Sequence, residues 1–85
     1  MPKSVFSDAY DILLQELVAA RKEAGLTQVE LAERIKRPQP FVSYFERGER
    51  RLDLIEFVAV SRALEVDPAK LFARILKRLP PNIAI

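Results

Sequence analysis

The sequence predicts an all-α protein of five helices forming one domain over residues 1–85, with a core from about 8 to 79. Three observations carry that expectation. Ala and Leu are abundant and strict alternation of apolar and polar residues is absent, which favours helix over strand. The chain has only two glycines, and both stand where an apolar helical stripe runs out. Helix-start signatures recur along it: two capping boxes and one Asp-Pro start.

The first helix is expected from about Asp8 to Ala24, with Ser7 as N-cap and Asp8 and Asp11 at the positive end of the dipole. Tyr10, Leu13, Leu14, Leu17, Val18, Ala20 and Ala24 form its apolar stripe, and Gly25 ends it. Thr27-Gln28-Val29-Glu30 is a capping box that opens the second helix, with Leu26 and Leu31 at the staple positions. That helix ends near Lys36. The third runs from about Gln39 to Arg47 and stops at Gly48. A residue before proline resists the α conformation, so Gln39 is the expected N-cap and Pro40 the first helical residue. Val42 and Phe45 form its inner face. Asp53-Leu54-Ile55-Glu56 opens the fourth helix, stapled by Leu52 and Phe57, and it runs to about Leu64. Asp67 and Pro68 open the fifth, stapled by Val66 and Leu71, which ends near Leu79 before Pro80-Pro81. Asn82 to Ile85 is a short, largely apolar tail.

Composition removes several function classes. There is no Cys and no His, so thiolate zinc, redox and His-based acid–base sites have no parts. One Thr and four Ser without a base partner exclude a nucleophile–base triad. No catalytic or metal site is expected, and no enzyme. No apolar run approaches the ~20 residues of a membrane span, and Met1-Pro2-Lys3-Ser4 lacks the apolar stretch of a signal peptide. The expectation is a cytoplasmic binding protein with no cofactor.

The net charge of +2 conceals blocks. Residues 1–33 carry three basic and six acidic groups, net −3; residues 34–51 carry six and two, net +4. Residues 52–69 carry one and four, net −3, and residues 70–85 carry four and none, net +4. Basic blocks on an otherwise acidic chain point to a directed positive surface. The plainer alternative is a solvated face.

Two short capped helices joined by a tight turn outline a helix-turn-helix. The segments Leu26-Thr27-Gln28-Val29-Glu30-Leu31-Ala32 and Phe41-Val42-Ser43-Tyr44-Phe45-Glu46-Arg47-Gly48-Glu49-Arg50-Arg51 closely resemble the XRE-type DNA-binding domain of phage repressors and Cro proteins. The resemblance extends from about Leu17 to Leu71, including Arg62 to Pro68.

That resemblance implies a five-helix domain whose third helix enters the DNA major groove. It assigns base contact to Gln39, Pro40, Ser43 and Tyr44, and phosphate contact to Gln28 at a helix N-terminus. Lys36, Arg37, Arg47, Arg50 and Arg51 become further phosphate contacts. Gln39 suits adenine, whose N6/N7 edge accepts and donates. Arg21 and Glu46 stand at positions that form a structural ion pair in the family. Phe41 reads as packing against Ile35 rather than as a thymine contact.

Three departures stand out. Lys36 replaces the usual turn glycine, Pro38 the Ser or Thr cap, and Pro40 a polar base reader. Direct readout should therefore be thin and lean on DNA shape.

The implied function is a sequence-specific transcriptional regulator, a repressor by resemblance, that binds an operator in double-stranded DNA. Family members commonly dimerise, and a two-fold dimer would set two third helices about 34 Å apart. Leu54, Ile55, Phe57, Val58, Ala59 and Val60 make the fourth helix apolar nearly all round, so one face needs cover. A homodimer through the fourth helix, the fifth or the tail is expected. The fifth helix divides Lys70, Arg74, Lys77 and Arg78 from Leu71, Phe72, Ile75, Leu76 and Leu79. The rival reading is a protein-interaction module, such as an antitoxin that masks a partner toxin or other effector. No membrane partner is expected.

Overall fold

The computed structural model describes residues 8–83. Among them five helices follow in order: α1 Asp8–Glu23, α2 Gln28–Ile35, α3 Gln39–Glu46, α4 Leu54–Ala63 and α5 Pro68–Arg78. Ser7, the expected first cap, and Ala84-Ile85 of the tail lie outside the described residues.

The helix starts follow the capping chemistry. Thr27 Oγ1 accepts from Glu30 N, and Glu30 Oε1 accepts from Thr27 N at 2.9 Å. Asp53 and Glu56 repeat the exchange at α4, at 2.7 and 2.9 Å. Each box satisfies two orphan N–H groups of the first turn. Asp67 accepts from Ala69 N and opens α5.

The start of α3 corrects the expectation. Pro38 is the N-cap, in extended conformation, and Gln39 is already helical ahead of Pro40. The pre-proline preference is a bias, and packing of Val42 and Phe45 in the core sets the register against it. A proline in the first turn removes an N–H that has no intrahelical partner anyway. Phe41 N closes the turn on Pro38 O at 2.9 Å.

Four helix ends share one geometry. Gly25, Lys36, Gly48 and Glu65 all have positive φ, at 75°, 58°, 78° and 60°. At each, a pair of backbone bonds closes the helix, as in Gly25 N to Lys22 O and Leu26 N to Arg21 O. Lys36 N to Glu33 O with Arg37 N to Ala32 O repeats it, as does Glu65 N to Arg62 O with Val66 N to Ser61 O. This is the Schellman arrangement. Glycine accepts it without cost; Lys36 and Glu65 hold it against a Cβ clash.

The core gathers Leu14, Leu17 and Ala20 of α1, Leu31 and Ala32 of α2, and Val42 and Phe45 of α3. Phe57 and Val60 of α4, Leu64, and Leu71 and Ile75 of α5 complete it. α2 packs on α3 and α4, and α1 packs on α3 and α5. Phe57 meets Phe72 edge to face at 6.2 Å, a favoured aromatic geometry. Buried Ser61 donates to Phe57 O and so adds no unsatisfied group. Glu16 holds α5 against α1 through Arg74 at 3.0 Å and Arg78 at 2.9 Å. Tyr10 Oη accepts from Leu52 N, fastening the α3–α4 loop to α1.

Candidate nucleic-acid interface

The corner between α2 and α3 is built by local chemistry. The Lys36 bend ends α2, Pro38 starts α3 two residues later, and the buried pair Val42 and Phe45 sinks one face of α3 into the core. The other face is thereby presented outward. Gln39 and Pro40 are exposed at its N-terminal end, Ser43 is half-buried and Tyr44 is 47% exposed. The exposed Lys36 and Arg37 flank them in the turn, and the Arg37 guanidinium lies 5.8 Å from the Phe41 ring centre. Phe41 is half-buried and meets Phe45 edge to face at 5.8 Å.

Beneath this face lies a buried polar network. Arg21 donates from Nε to Glu46 Oε2 at 2.7 Å and from Nη2 to Oε1 at 3.1 Å. Its Nη1 donates to Leu26 O at 2.8 Å. The Glu46 side chain is only 6% exposed and that of Arg21 11%. Gln28 Nε2 donates to the same Glu46 Oε1 at 2.8 Å, and Gln39 Nε2 donates to Gln28 Oε1 at 3.1 Å. The expected ion-pair positions and two of the expected DNA-contact positions thus form one connected chain of bonds.

The arginines are less uniform. Arg47 stays at the edge of the α3 face: it donates to Ser43 Oγ, and its guanidinium stands 5.3 Å from the Tyr44 ring centre. It also binds Glu49 through two bonds of 3.0 and 3.1 Å. Arg50 binds Glu56 through two bonds of 3.0 and 2.8 Å, donates to Arg51 O, and covers the Phe41 ring at 4.6 Å. Arg51 lies over the Tyr10 ring, in a groove with Leu13, Phe72 and Ile83.

These pairs shift protonation in the direction their charges require. Hydrogen bonds from Arg47 hold the Glu49 carboxyl below its ordinary value, and those from Arg50, then from the Asp53 N–H, do the same for Glu56. The pairing of these carboxylates with Arg47 and Arg50, and the Glu46–Gln28 bond, escaped the sequence reading. Glu49 sits two residues beyond Arg47, across the Gly48 bend, and nothing in that spacing marks a pair until the bend is known.

A second exposed region is apolar. Leu54 and Ile55 are 71% and 75% exposed, and Phe72, Leu76 and Ile83 are about half exposed. Leu13, Leu52, Leu54, Phe57 and Phe72 line a shallow groove there. Among the described residues no helix is long and apolar enough to cross a membrane.

A helix-turn-helix family model matches residues 17–71. An XRE-family like protein from Pseudomonas syringae pv. tomato str. DC3000 is similar in structure, at 46% identity and a TM-score of 0.81, over 86% of this chain and 89% of that one. The restriction-modification controller protein C.AhdI from Aeromonas hydrophila is 30% identical with a TM-score of 0.67, over 74% of this chain and 96% of that one. The controller protein C.Esp1396I is 25% identical with a TM-score of 0.78, over 85% and 95%. No curated relative matches the chain.

Proposed function

The chain belongs to the XRE-type helix-turn-helix family of DNA-binding regulators, and from that premise we propose that it is a cytoplasmic transcriptional repressor that binds an operator as a homodimer. The observation that carries the reading is the outward face of α3. It carries the exposed Gln39 and Tyr44 and the half-buried Ser43, flanked by Lys36, Arg37 and Arg47.

In this reading α3 enters the major groove. Gln39 and Ser43 contact base edges, Tyr44 and Pro40 pack on a base or a thymine methyl, and Gln28 with the α2 N-terminus meets a phosphate. Lys36 and Arg37 lie along the backbone. Arg47, Arg50 and Arg51 reach phosphate by exchanging Glu49, Glu56 and Tyr10 for it. The exposed Leu54, Ile55, Phe72 and Leu76 supply the surface that a second copy covers, and a two-fold axis sets the two α3 helices one helical turn of DNA apart. Restriction-modification control, the role named for two structural relatives, is one physiological setting that fits.

A second reading has its own support. Glu49 and Glu56 neutralise two of the interface arginines inside the protein, as a module that binds a partner protein instead of DNA would tolerate.

One titration separates the readings. Fluorescence anisotropy is measured on a labelled duplex from the chain's own upstream region and on a scrambled duplex, at about 50 and 200 mM salt. With ~6–10 phosphate contacts, affinity is expected to fall about 10³–10⁵-fold between those salts, with the upstream duplex preferred. A folded dimer that binds neither duplex refutes the DNA reading and favours the partner-protein one.

A further inference from the structure

Glu46 is more than one half of an ion pair. We propose that it is a positioning residue for base readout: through Gln28 it sets which way round the Gln39 amide faces the DNA. This rests on the DNA-binding reading above and deepens it.

Hydrogen-bond polarity carries the effect from one side chain to the next. An ionised carboxylate only accepts, and Arg21 pairs with Glu46 through two charge-assisted bonds that fix its carboxylate in place. Any amide bonded to Glu46 Oε1 must therefore present its NH₂. Gln28 does so at 2.8 Å, and a flip would set its carbonyl oxygen against a negative oxygen. With Nε2 committed inward, Gln28 turns Oε1 toward Gln39. That oxygen likewise requires an N–H, and Gln39 Nε2 supplies it at 3.1 Å.

The polarity is thus passed along three side chains, from a nearly buried charge to an exposed amide. What Gln39 has left to offer is defined. Its Oε1 accepts, and the second hydrogen of Nε2 donates. An acceptor and a donor on one amide are what adenine requires, since it donates from N6 and accepts at N7. An unanchored glutamine would have to freeze its rotamer and its amide orientation on binding, so prior fixing favours the matched base over the others.

The test needs no known operator. The full-length chain is incubated with a pool of duplexes randomised over about 20 base pairs, and bound duplexes are sequenced. The position read by Gln39 is the one whose preference Gln39→Ala erases. There the parent is expected to favour adenine by about 5- to 150-fold, the range of a good bidentate contact. Glu46→Gln, whose amide can donate as well as accept, is expected to cut that preference at least about fivefold at a temperature where the variant is folded. A merely structural Glu46 would weaken all duplexes alike and leave the preference intact, and that result overturns the proposal.

Should Glu46→Gln fail to fold, Gln28→Leu cuts the chain in its middle while leaving Arg21 and Glu46 paired. Preference retained in that variant also overturns the proposal, and preference lost supports it. The side-chain amide signals of Gln28 and Gln39 in ¹⁵N-correlated spectra of the free protein give a readout without DNA. Both sets are expected to move on Glu46→Gln, and an unmoved Gln39 signal refutes the relay. A parent that selects no sequence from the pool fails the DNA reading itself, and the amide signals then decide the relay alone.

Discussion

Replacing Lys36 by glycine should stabilise the protein, and the size of the gain follows from the backbone. Lys36 has φ 58° and ψ 45°, and its own N–H and that of Arg37 close α2 on Glu33 and Ala32. A side chain in this left-handed region costs about 1–2 kcal/mol. Glycine removes that cost but loosens the unfolded chain by about 0.4–1 kcal/mol. The difference is a net gain of ~0.5–1 kcal/mol, or about 2–8 °C in Tm at the ~4–8 °C per kcal/mol of a domain this size. Lys36→Ala is the control, since alanine keeps the Cβ and loses the charge. Circular dichroism melts of the three proteins, under identical buffer and concentration, give the answer. A glycine variant that melts no higher than the alanine variant would refute the reasoning. In the anisotropy titration both variants should weaken DNA binding equally, since both lose the same cation from the turn.

Four further outcomes are expected. Phe45→Ala empties a fully buried site and should cost about 3–5 kcal/mol in denaturant unfolding; a loss under about 1 kcal/mol would mean the α3 inner face is not core. Glu49→Gln should free Arg47 for phosphate, tightening duplex binding and steepening the logarithmic salt slope by roughly one, and the gain should vanish in an Arg47→Gln background. Ile55→Glu, at a 75% exposed position, should yield a folded monomer in sedimentation velocity if α4 lies in the dimer contact; an unchanged dimer would move that contact elsewhere. Arg50 holds the native Glu56 carboxyl below its ordinary value of 4.5, so the unfolded chain takes up that proton first as pH falls. The stability from this group is therefore present above about pH 4.5 and is lost as pH drops through the lower native value. Glu56→Gln should flatten the Tm profile between pH 5 and 3, roughly the range in which carboxylates titrate, and an equally steep profile would count against the pair.

Much of this architecture is legible in the sequence because its signals are local. A capping box spans four residues, and its two side chains have one partner each, so Thr27–Glu30 and Asp53–Glu56 announce their helices directly. Gly25 and Gly48 mark helix ends for the same reason. Glu65 ends α4 in the same left-handed bend, and no residue type betrays it. The backbone bonds to Ser61 and Arg62 enforce that conformation on a side chain that would not choose it. At α3 the local rule pointed one residue too far, because core packing outweighed the bias before Pro40. The site divides likewise. The row Gln39, Ser43, Tyr44 follows from helical spacing once the motif is seen. The link from Glu46 to Gln28 crosses two helices, and the pairing of Arg50 with Glu56 crosses a loop, so both depend on how the helices dock.

The clamp between α1 and α5 bears on how the chain folds. Helix starts and ends here close within a few residues, and α2 meets α3 across a three-residue turn, so these parts can form early and quickly. Arg78 and Glu16, by contrast, lie 62 residues apart, and their meeting closes a loop that spans most of the described residues. Loop-closure entropy sets that contact late. Truncating Arg78 or Glu16 should then leave the refolding rate almost untouched and speed unfolding, giving φ-values near zero, whereas Val42→Ala in the α2–α3 corner should slow refolding. On that expectation the clamp governs how fast the native state is lost, and the corner how fast it is reached.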